Sequence, residues 1–424
     1  MSVNALDAAV DAPAKSDAPA APINPIPRVS IQAFCETPEI AAIVQGAIAD
    51  RRMAKAHVKQ HMGGAAAAVE SYRSAPTPNV IVLEAANDRD ALIRQLEELS
   101  EYCDAGTKVI VLGKVNDIIL YRKLIARGVS EYLVSPFGVM EFVQALSHLY
   151  AAPDAKPVGR VIAVVGAKGG VGASTVAHNL AWCSAASLDM ATIIADLDLG
   201  FGTAGLDYNQ DPPQGIAEAV FAPDRVDSNL VDRLLSKCSD NLSLLAAPAT
   251  LERLYDFSET SFDSILDVLR ASTPCIVLDI PHGWNAWTRR MLVSADEVVV
   301  VAAPDLANLR NAKNLCDNLR IARPHDHPPR LVINGVGLPR RPEISAADFA
   351  KTVEIEPSLT IPHDAKLFGA AGNNGQMILE IEPGNKIGES FVELARMLNG
   401  RGEIRKAKKG LFDPILSRLS RKKA

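Results

Sequence analysis

The sequence predicts an α/β chain with two domains, each built on a parallel sheet, from three observations. Its 424 residues exceed the length of one ordinary domain. Five short apolar runs alternate with helical patterns between residues 28 and 150. From residue 161, a strand rich in β-branched residues leads into a glycine-rich turn and then into a helical pattern.

Composition narrows the class of protein. Apolar residues make up 48% of the chain and charged residues 22%, as in globular proteins. We find neither a signal peptide nor an apolar stretch of about 18 residues, so we expect a cytoplasmic protein. The cysteines form no C-x-x-C pair, which argues against disulfides and against zinc or iron–sulfur sites. They are Cys35, Cys103, Cys183, Cys238, Cys275 and Cys316.

In the first domain, residues 28–150, the expected strands cover residues 29–34, a weakly marked run near His57, and residues 79–83, 108–112 and 131–134. Helices are expected from Pro38, Asp88, Asp117 and Gly138. Strands that alternate with helices predict a doubly wound parallel sheet. Residues 1–27, rich in Ala, Pro and Asp, predict a disordered leader.

The runs "VIVLEA" and "SEYLVSPF" and the spacing of the elements resemble a response-regulator receiver domain. The resemblance implies acidic residues after the first strand, a phospho-accepting Asp, a hydroxyl and a lysine. This sequence has Cys35-Glu36, Glu84, Gly113 and Ser135 at those places. We therefore expect a receiver-like, flavodoxin-like domain without phosphorylation chemistry, which serves a partner or dimerisation, or is only a spacer.

Residues 151–159, with two prolines, predict a linker, and the second domain covers residues 160–400. Its glycine-rich turn lets backbone N–H groups approach an anion at a helix N-terminus, which favours a polyphosphate. Ala173 stands where the ordinary pattern G-x-x-x-x-G-K-[ST] has lysine, and Lys168 occurs earlier. A structural glycine turn is the alternative.

The run Lys-Gly-Gly-Val-Gly-x-Ser-Thr resembles the deviant Walker A motif of the ParA/MinD family of P-loop ATPases. The resemblance implies ATP and Mg²⁺ as cofactors, with Lys168 as a catalytic residue that reaches the partner's nucleotide in a homodimer. The nucleotide-binding residues it implies are Gly169, Gly170, Val171, Gly172, Ala173, Ser174 and Thr175.

Acidic residues follow two later apolar runs. Asp196 and Asp198 come about 20 residues after the glycine loop, and Asp279 ends the run "PCIVLDIP". The resemblance implies that Asp198 positions the attacking water, and that Asp279 and Ser174 hold Mg²⁺ with a smaller contribution from Asp196. By themselves, such acids are also typical of turns and helix caps.

Two later segments predict where the base binds. Asn334 ends the run "PRLVIN", and a side-chain amide can pair with both hydrogen-bonding edges of adenine. Pro362 opens a segment that resembles the family's base-binding loop, with His363 a weaker candidate. An ordinary turn asparagine is the alternative for Asn334.

The missing loop lysine predicts weaker binding and slow hydrolysis. A charge-assisted hydrogen bond contributes about 1.5–3 kcal/mol, so its loss lowers nucleotide affinity about tenfold to a hundredfold. Phosphoryl transfer depends on electrostatic stabilisation, so the loss of the lysine lowers the rate of hydrolysis more than it lowers nucleotide affinity. We therefore expect a weak ATPase.

Charge is unevenly distributed. Residues 401–424 carry nine Lys or Arg against Glu403 and Asp413, a net charge of +7, which leaves −13 on the other 400 residues because the total is −6. An acidic body disfavours nucleic acid as a partner. Residues 411–424 form a basic amphipathic pattern suited to an anionic membrane surface, or else a solvated terminus.

The order of the two domains, together with Ala173, resembles the CpaE/TadZ family of pilus assembly proteins over about residues 28–395. The resemblance implies a positioning factor for Tad/Flp (type IVc) pili, at the cell pole and peripheral to the inner membrane. Its partners would be the secretion ATPase and the inner-membrane platform. Two alternatives are a ParA-type partition ATPase that moves DNA or other cargo, and a non-enzymatic scaffold with a vestigial nucleotide site.

Overall fold

The computed structural model describes residues 23–85, 89–104, 106–150, 158–248, 250–251 and 253–400. They form two sheets, one of five strands and one of eight. No helix among these residues is long and apolar enough to cross a bilayer. Residues 1–22 of the leader, most of the linker (151–157) and the basic tail (401–424) lie outside the described residues.

The first sheet has the strand order β2-β1-β3-β4-β5, and all its strands are parallel. Its strands are Ser30–Cys35 (β1), His57–Met62 (β2), Val80–Glu84 (β3), Lys108–Gly113 (β4) and Glu131–Val134 (β5). Its helices are Pro38–Ile48 (α1), Gly64–Tyr72 (α2), Arg89–Ser100 (α3), Ile118–Ala126 (α4) and Val139–His148 (α5). Helices α1 and α5 cover one face and α2–α4 the other, which confirms the doubly wound, flavodoxin-like prediction.

Residues 23–27, which the composition places in the leader, pack on this domain. Ile26 is fully buried, and its N–H donates to the carbonyl oxygen of Arg52 (2.8 Å). The hydroxyl of Ser147 donates to the carbonyl oxygen of Asn24 (3.0 Å). The core of the first domain therefore includes a residue before Arg28.

Glu84 lies at the end of β3, where a receiver carries its phospho-accepting Asp, and is 4% exposed. Its Oε2 accepts from the N–H groups of Glu36 (2.6 Å) and Thr37 (2.9 Å), and its Oε1 accepts from the Thr37 hydroxyl (2.6 Å). Thr37 is the N-cap of α1, and Glu36 precedes it. The Glu84 carboxylate therefore anchors the segment that leads into α1.

The second sheet has the order β13-β12-β11-β6-β10-β7-β9-β8, antiparallel only between β8 and β9. Its strands are Arg160–Gly166 (β6), Thr192–Asp196 (β7), Leu235–Lys237 (β8), Leu242–Leu245 (β9), Cys275–Ile280 (β10), Glu297–Ala302 (β11), Arg330–Val336 (β12) and Pro357–Pro362 (β13). Central strand β6 is buried from its second residue onward, as its β-branched run predicts.

Helices cover both faces of this sheet. They are Ala173–Ala186 (α6), Ala204–Asp207 (α7), Ile216–Phe221 (α8), Ser228–Leu234 (α9), Asp263–Ser272 (α10), Ala286–Ser294 (α11), Leu306–Ala322 (α12), Ala346–Val353 (α13), Ala365–Asn374 (α14), Ile378–Ile381 (α15) and Lys386–Leu398 (α16). Helix α6 packs beside α16 on one face, and α10 to α13 pack on the other.

Buried ion pairs join the two domains. Arg51, in a 3-10 turn (Arg51–Met53) of the first domain, donates from Nε to Oδ2 of Asp326 (2.7 Å) and from Nη2 to Oδ1 of Asp296 (3.2 Å). Its Nη1 also donates to the carbonyl oxygen of Ser294 (2.9 Å). Each of these acids pairs with further arginines. We call the set the interdomain cluster: Arg51, Arg52, Arg270, Asp296, Arg323 and Asp326.

Candidate functional site: a glycine loop and strand-end carboxylates

The predicted phosphate loop lies between β6 and α6. Gly170 and Gly172 have φ angles of +77° and +85°, a left-handed conformation that glycine adopts without steric cost. Gly172 precedes the first residue of α6, and no side chain caps that helix. The first N–H groups of α6 therefore remain available at the loop, where the helix dipole favours an anion.

The predicted loop residues differ in exposure. Lys168, Gly169 and Gly170 are exposed, and Val171 is buried. Ala173 starts α6 and is half-buried, as are Gly172, Ser174 and Thr175. The loop therefore presents one lysine to solvent and a hydroxyl at the helix N-terminus, two groups that can contact a phosphate and its cation.

Asn334, the predicted base contact, packs against this loop. Its Nδ2 donates to the carbonyl oxygen of Val171 (2.8 Å). A Cβ on Gly172 would lie 2.5 Å from that nitrogen, so the contact needs glycine there. Because Nδ2 is engaged with the loop, base recognition by Asn334 would use Oδ1, and this role stays a prediction.

Strands β12 and β13 bring the two predicted base-binding segments to one edge of the sheet. Asn334 is in register with Ile361, and Val336 with Pro362. The N–H of His363 donates to the carbonyl oxygen of Val336 (2.7 Å). Pro362 is exposed, as a contact for a base would be.

Asp196 is the last residue of β7, Asp279 is the last but one of β10, and their backbones are in register on these neighbouring strands. Asp196 is fully buried and Asp279 is 3% exposed. The carboxylate of Asp196 accepts from the N–H groups of Asp198 and Ala204 (both 3.1 Å), so it holds the loop that follows β7. Burial, and next the charge of Asp279, raise the pKa of Asp196 to about 7.

Asp198 is half-buried, and its Oδ1 accepts from the N–H of Phe201 (3.1 Å). That bond belongs to a turn, and a turn residue is the alternative role that the sequence predicts for Asp198. The second carboxylate oxygen leaves a water-positioning role open, and that role stays a prediction.

The residues present fit a magnesium ion held together with phosphate. Among the described residues there is no group of three or more His, Cys, Asp or Glu side chains that could hold a metal ion. The donor set is instead one hydroxyl, on Ser174, and one buried carboxylate, on Asp279. Mg²⁺ is usually bound through one or two such oxygens, with phosphate and water completing its shell.

One buried side chain at this site is absent from the predictions. His178 lies one helical turn after Ser174 and is fully buried. Its Nδ1 lies 2.6 Å from Oδ2 of Asp207, and its Nε2 lies 3.4 Å from Oδ2 of Asp279. The spacing of four residues from Ser174 was the available signal, because it places both side chains on one face of the helix.

Comparisons agree with the fold of the second domain. Residues 159–328 match the model of a family described as AAA domain. The septum site-determining protein MinD of Thermotoga maritima is 27% identical over 281 residues, which are 63% of this chain and 99% of MinD. A ParA family ATPase from Chlorobium tepidum is 24% identical, with a TM-score of 0.50, over 57% of this chain and 98% of that one.

The first domain has a different neighbour. The pilus assembly protein CpaE from Caulobacter crescentus is 46% identical over 30% of this chain and 98% of that one, with a TM-score of 0.30. The identity concerns the N-terminal part alone. The strand order of the first sheet gives the first domain its receiver-like, flavodoxin-like fold, and the second domain has the ParA/MinD type of P-loop fold.

Proposed function

We propose that this chain is an ATP-binding, slowly hydrolysing dimer that positions the assembly machinery of Tad/Flp pili. One observation carries the nucleotide part: left-handed glycines lead into the uncapped N-terminus of α6, beside strands that end in buried acids. Each of these features has a separate use in holding a polyphosphate.

Each residue of the loop has a part in binding. The N–H groups of Gly169 to Thr175 surround the phosphates. The hydroxyl of Ser174 and the carboxylate of Asp279 hold the magnesium ion that the phosphates bind. Mg²⁺ supplies charge neutralisation of the phosphates when bound. Asn334 and Pro362 contact the base from the neighbouring strand ends.

Ala173 sets the balance between binding and turnover. Its methyl group starts α6 where a lysine would meet the phosphates, so the loop lacks the lysine charge that would stabilise the phosphoryl group during transfer. Lys168 is exposed, which suits contact with a second copy's nucleotide. We infer that dimerisation brings this lysine into place, with Asp198 positioning the water for a slow hydrolysis.

The pilus part of the proposal comes from the domain order and the Ala173 loop, which resemble CpaE/TadZ proteins. It assigns the secretion ATPase and the inner-membrane platform as partners, with the protein at the pole and against the inner membrane. Residues 411–424 would add a weak membrane contact that dimerisation doubles. Nucleic acid is not expected, because the body of the chain is acidic.

Equilibrium binding of labelled ATP in Mg²⁺ tests the nucleotide part. We expect wild type to bind, Ser174→Ala to bind at least tenfold more weakly, and Ser187→Ala, at the exposed end of the same helix, to match wild type. No binding by wild type would support the vestigial scaffold instead. Sedimentation of wild type and Lys168→Ala with ATP tests the dimer.

A gel-shift titration with non-specific duplex DNA separates the partition alternative. Salt-sensitive binding at micromolar or lower concentration would contradict the pilus proposal. Pili counted on cells that carry Ser174→Ala or Ser187→Ala test the pilus part: we expect loss with the first variant and retention with the second.

A further inference from the structure

Helix α4 of the first domain leaves most of its surface to solvent. Leu120 and Leu124 are its buried residues, out of nine. Its other large apolar side chains are exposed, and the most exposed of them, Ile118, keeps 66% of its surface in solvent. We call these exposed side chains the α4 patch: Ile118, Ile119, Tyr121 and Ile125. Exposed apolar side chains that cluster on one element are typical of a surface that a partner covers.

Three members of the α4 patch form a stripe along the helix. Ile118, Tyr121 and Ile125 are spaced i, i+3 and i+7, so their side chains lie on one side of α4. Arg122 comes one turn after Ile118 and borders this stripe. The spacing suits a second amphipathic helix that lies along α4 with its apolar residues on the stripe.

The charge around the α4 patch favours an acidic occupant. Residues 114–127 contain four basic residues and one acid, a net charge of +3. Within the described part of the chain, Lys114, Arg122 and Lys123 are exposed and have no ion pair. A second copy that packed α4 on α4 would bring the same positive charge, and the basic residues 401–424 would bring +7, so like-charge repulsion disfavours both.

An acidic segment with a matching pattern occurs in the chain's own leader, outside the described residues. Residues 4–12 read NALDAAVDA, with two acids and no basic residue. Asn4 is a favoured N-cap, Asp7 follows in the first turn, and a proline comes directly after the pattern. Leu6 and Val10 are four residues apart, which places them on one face of a helix. Such a segment can fold on contact with a surface.

The leader is attached close enough to reach α4. The chain after it is fixed at α5, where the Ser147 hydroxyl donates to the carbonyl oxygen of Asn24 (3.0 Å). Helix α4 precedes the edge strand β5 and α5 follows it, so both helices lie at the same edge of the sheet. Residues 13–22, with three prolines, span about 31 Å when extended. That length is enough to pass β5 and one helix diameter of about 10–12 Å.

We propose that residues 4–12 dock on the α4 patch as a short acidic helix. Leu6 and Val10 cover the stripe, and the two aspartates face the unpaired basic residues beside it. Because the segment belongs to the same chain, its effective concentration is on the order of millimolar, so even a weak contact is populated. The first domain then carries its own cover on α4, and any other partner of this helix must displace it.

Hydrogen exchange of the full-length chain, followed by mass spectrometry, tests this contact. Asp11→Lys should speed exchange of the backbone amides of α4 about tenfold, since docking protects a helix that otherwise packs on one side only. A lysine in the last turn favours the helix itself, so the loss of protection would report the contact with α4. The matched control is Asp17→Lys, which makes the same charge change in the linker and should leave exchange at the wild-type rate. Peptides from α3 should exchange equally in all variants.

A second charge reversal should restore the contact. Arg122→Glu alone should also speed exchange of α4, and its combination with Asp11→Lys should recover protection, because the facing charges are again opposite. Equal exchange of α4 in wild type and Asp11→Lys would overturn the inference. Protection that rises with protein concentration would overturn it in favour of a second copy, and protection that requires anionic vesicles would overturn it in favour of a membrane.

Discussion

Replacing Arg51 by Met should separate the two domains. The arginine is 6% exposed and donates to Asp326, Asp296 and the carbonyl oxygen of Ser294. Methionine keeps most of the apolar stem and removes the charge and all three contacts. The buried acids of the second domain then face the interface without this cation.

The size of the effect follows from the partners that remain. Removing one member of a buried ion pair costs about 3–5 kcal/mol. Asp326 keeps Arg52 and Arg323, and Asp296 keeps Arg270, so neither acid is left unpaired. We therefore expect the lower end, about 3 kcal/mol, which corresponds to roughly a hundredfold change in the docking equilibrium.

Unfolding in guanidinium can resolve this effect, because all three tryptophans, Trp182, Trp284 and Trp287, lie in the second domain. Fluorescence follows that domain, and far-UV circular dichroism follows both. We expect Arg51→Met to separate the two transitions and to lower the free energy of unfolding of the domain that unfolds first.

The matched control is Arg73→Met, on the surface of the first domain. Arg73 is 50% exposed and pairs with Glu70 and Glu98, so solvent screens these pairs and its loss should leave the stability of the protein nearly unchanged. Unfolding curves of Arg51→Met that coincide with those of Arg73→Met would refute the reasoning.

Three further outcomes are expected. Burial alone would raise the pKa of Asp326, but Arg51 and Arg323 outweigh burial and lower the pKa to about 2. Docking of the two domains is therefore strongest above about pH 4 and weakens as the pH falls toward 2. Unfolding midpoints measured from about pH 2 to 5 should show this slope, and Asp326→Asn should flatten it. Gly172→Ala should weaken ATP binding more than tenfold, because the new Cβ would meet Asn334. The control Gly128→Ala, at a φ of +89° with open space around it, should cost only about 1–2 kcal/mol of stability and leave the ATP affinity unchanged. Ala173→Lys should tighten ATP binding tenfold to a hundredfold by calorimetry, and unchanged affinity would contradict phosphate binding at this loop.

Regular patterns explain why most of the fold could be predicted. The β-branched runs of β3, β6 and β10 are buried along nearly their whole length, as parallel strands between two layers of helices require. The strands near His57 and at residues 131–134 are confirmed as β2 and β5. Helix α2 was not predicted, because its four consecutive alanines after Gly64 carry little apolar periodicity.

Long-range contacts between polar residues could not be predicted in the same way. Arg51 and Asp326 are 275 positions apart, and neither belongs to a motif. His178 and Asp207 become neighbours only because α7 turns back beneath α6. Asp196 and Asp279 were predicted from their resemblance to family motifs and their order after the glycine loop, and the structure places them in register on neighbouring strands.

The hydrogen bonds of Glu84 limit the chemistry that is open to the first domain at the end of its third strand. A receiver carries its phospho-accepting Asp there, whereas both oxygens of Glu84 accept hydrogen bonds from Glu36 and Thr37. A phosphodonor would meet a carboxylate that is 4% exposed and already bonded to the start of α1. We therefore expect that a small phosphodonor does not modify this domain.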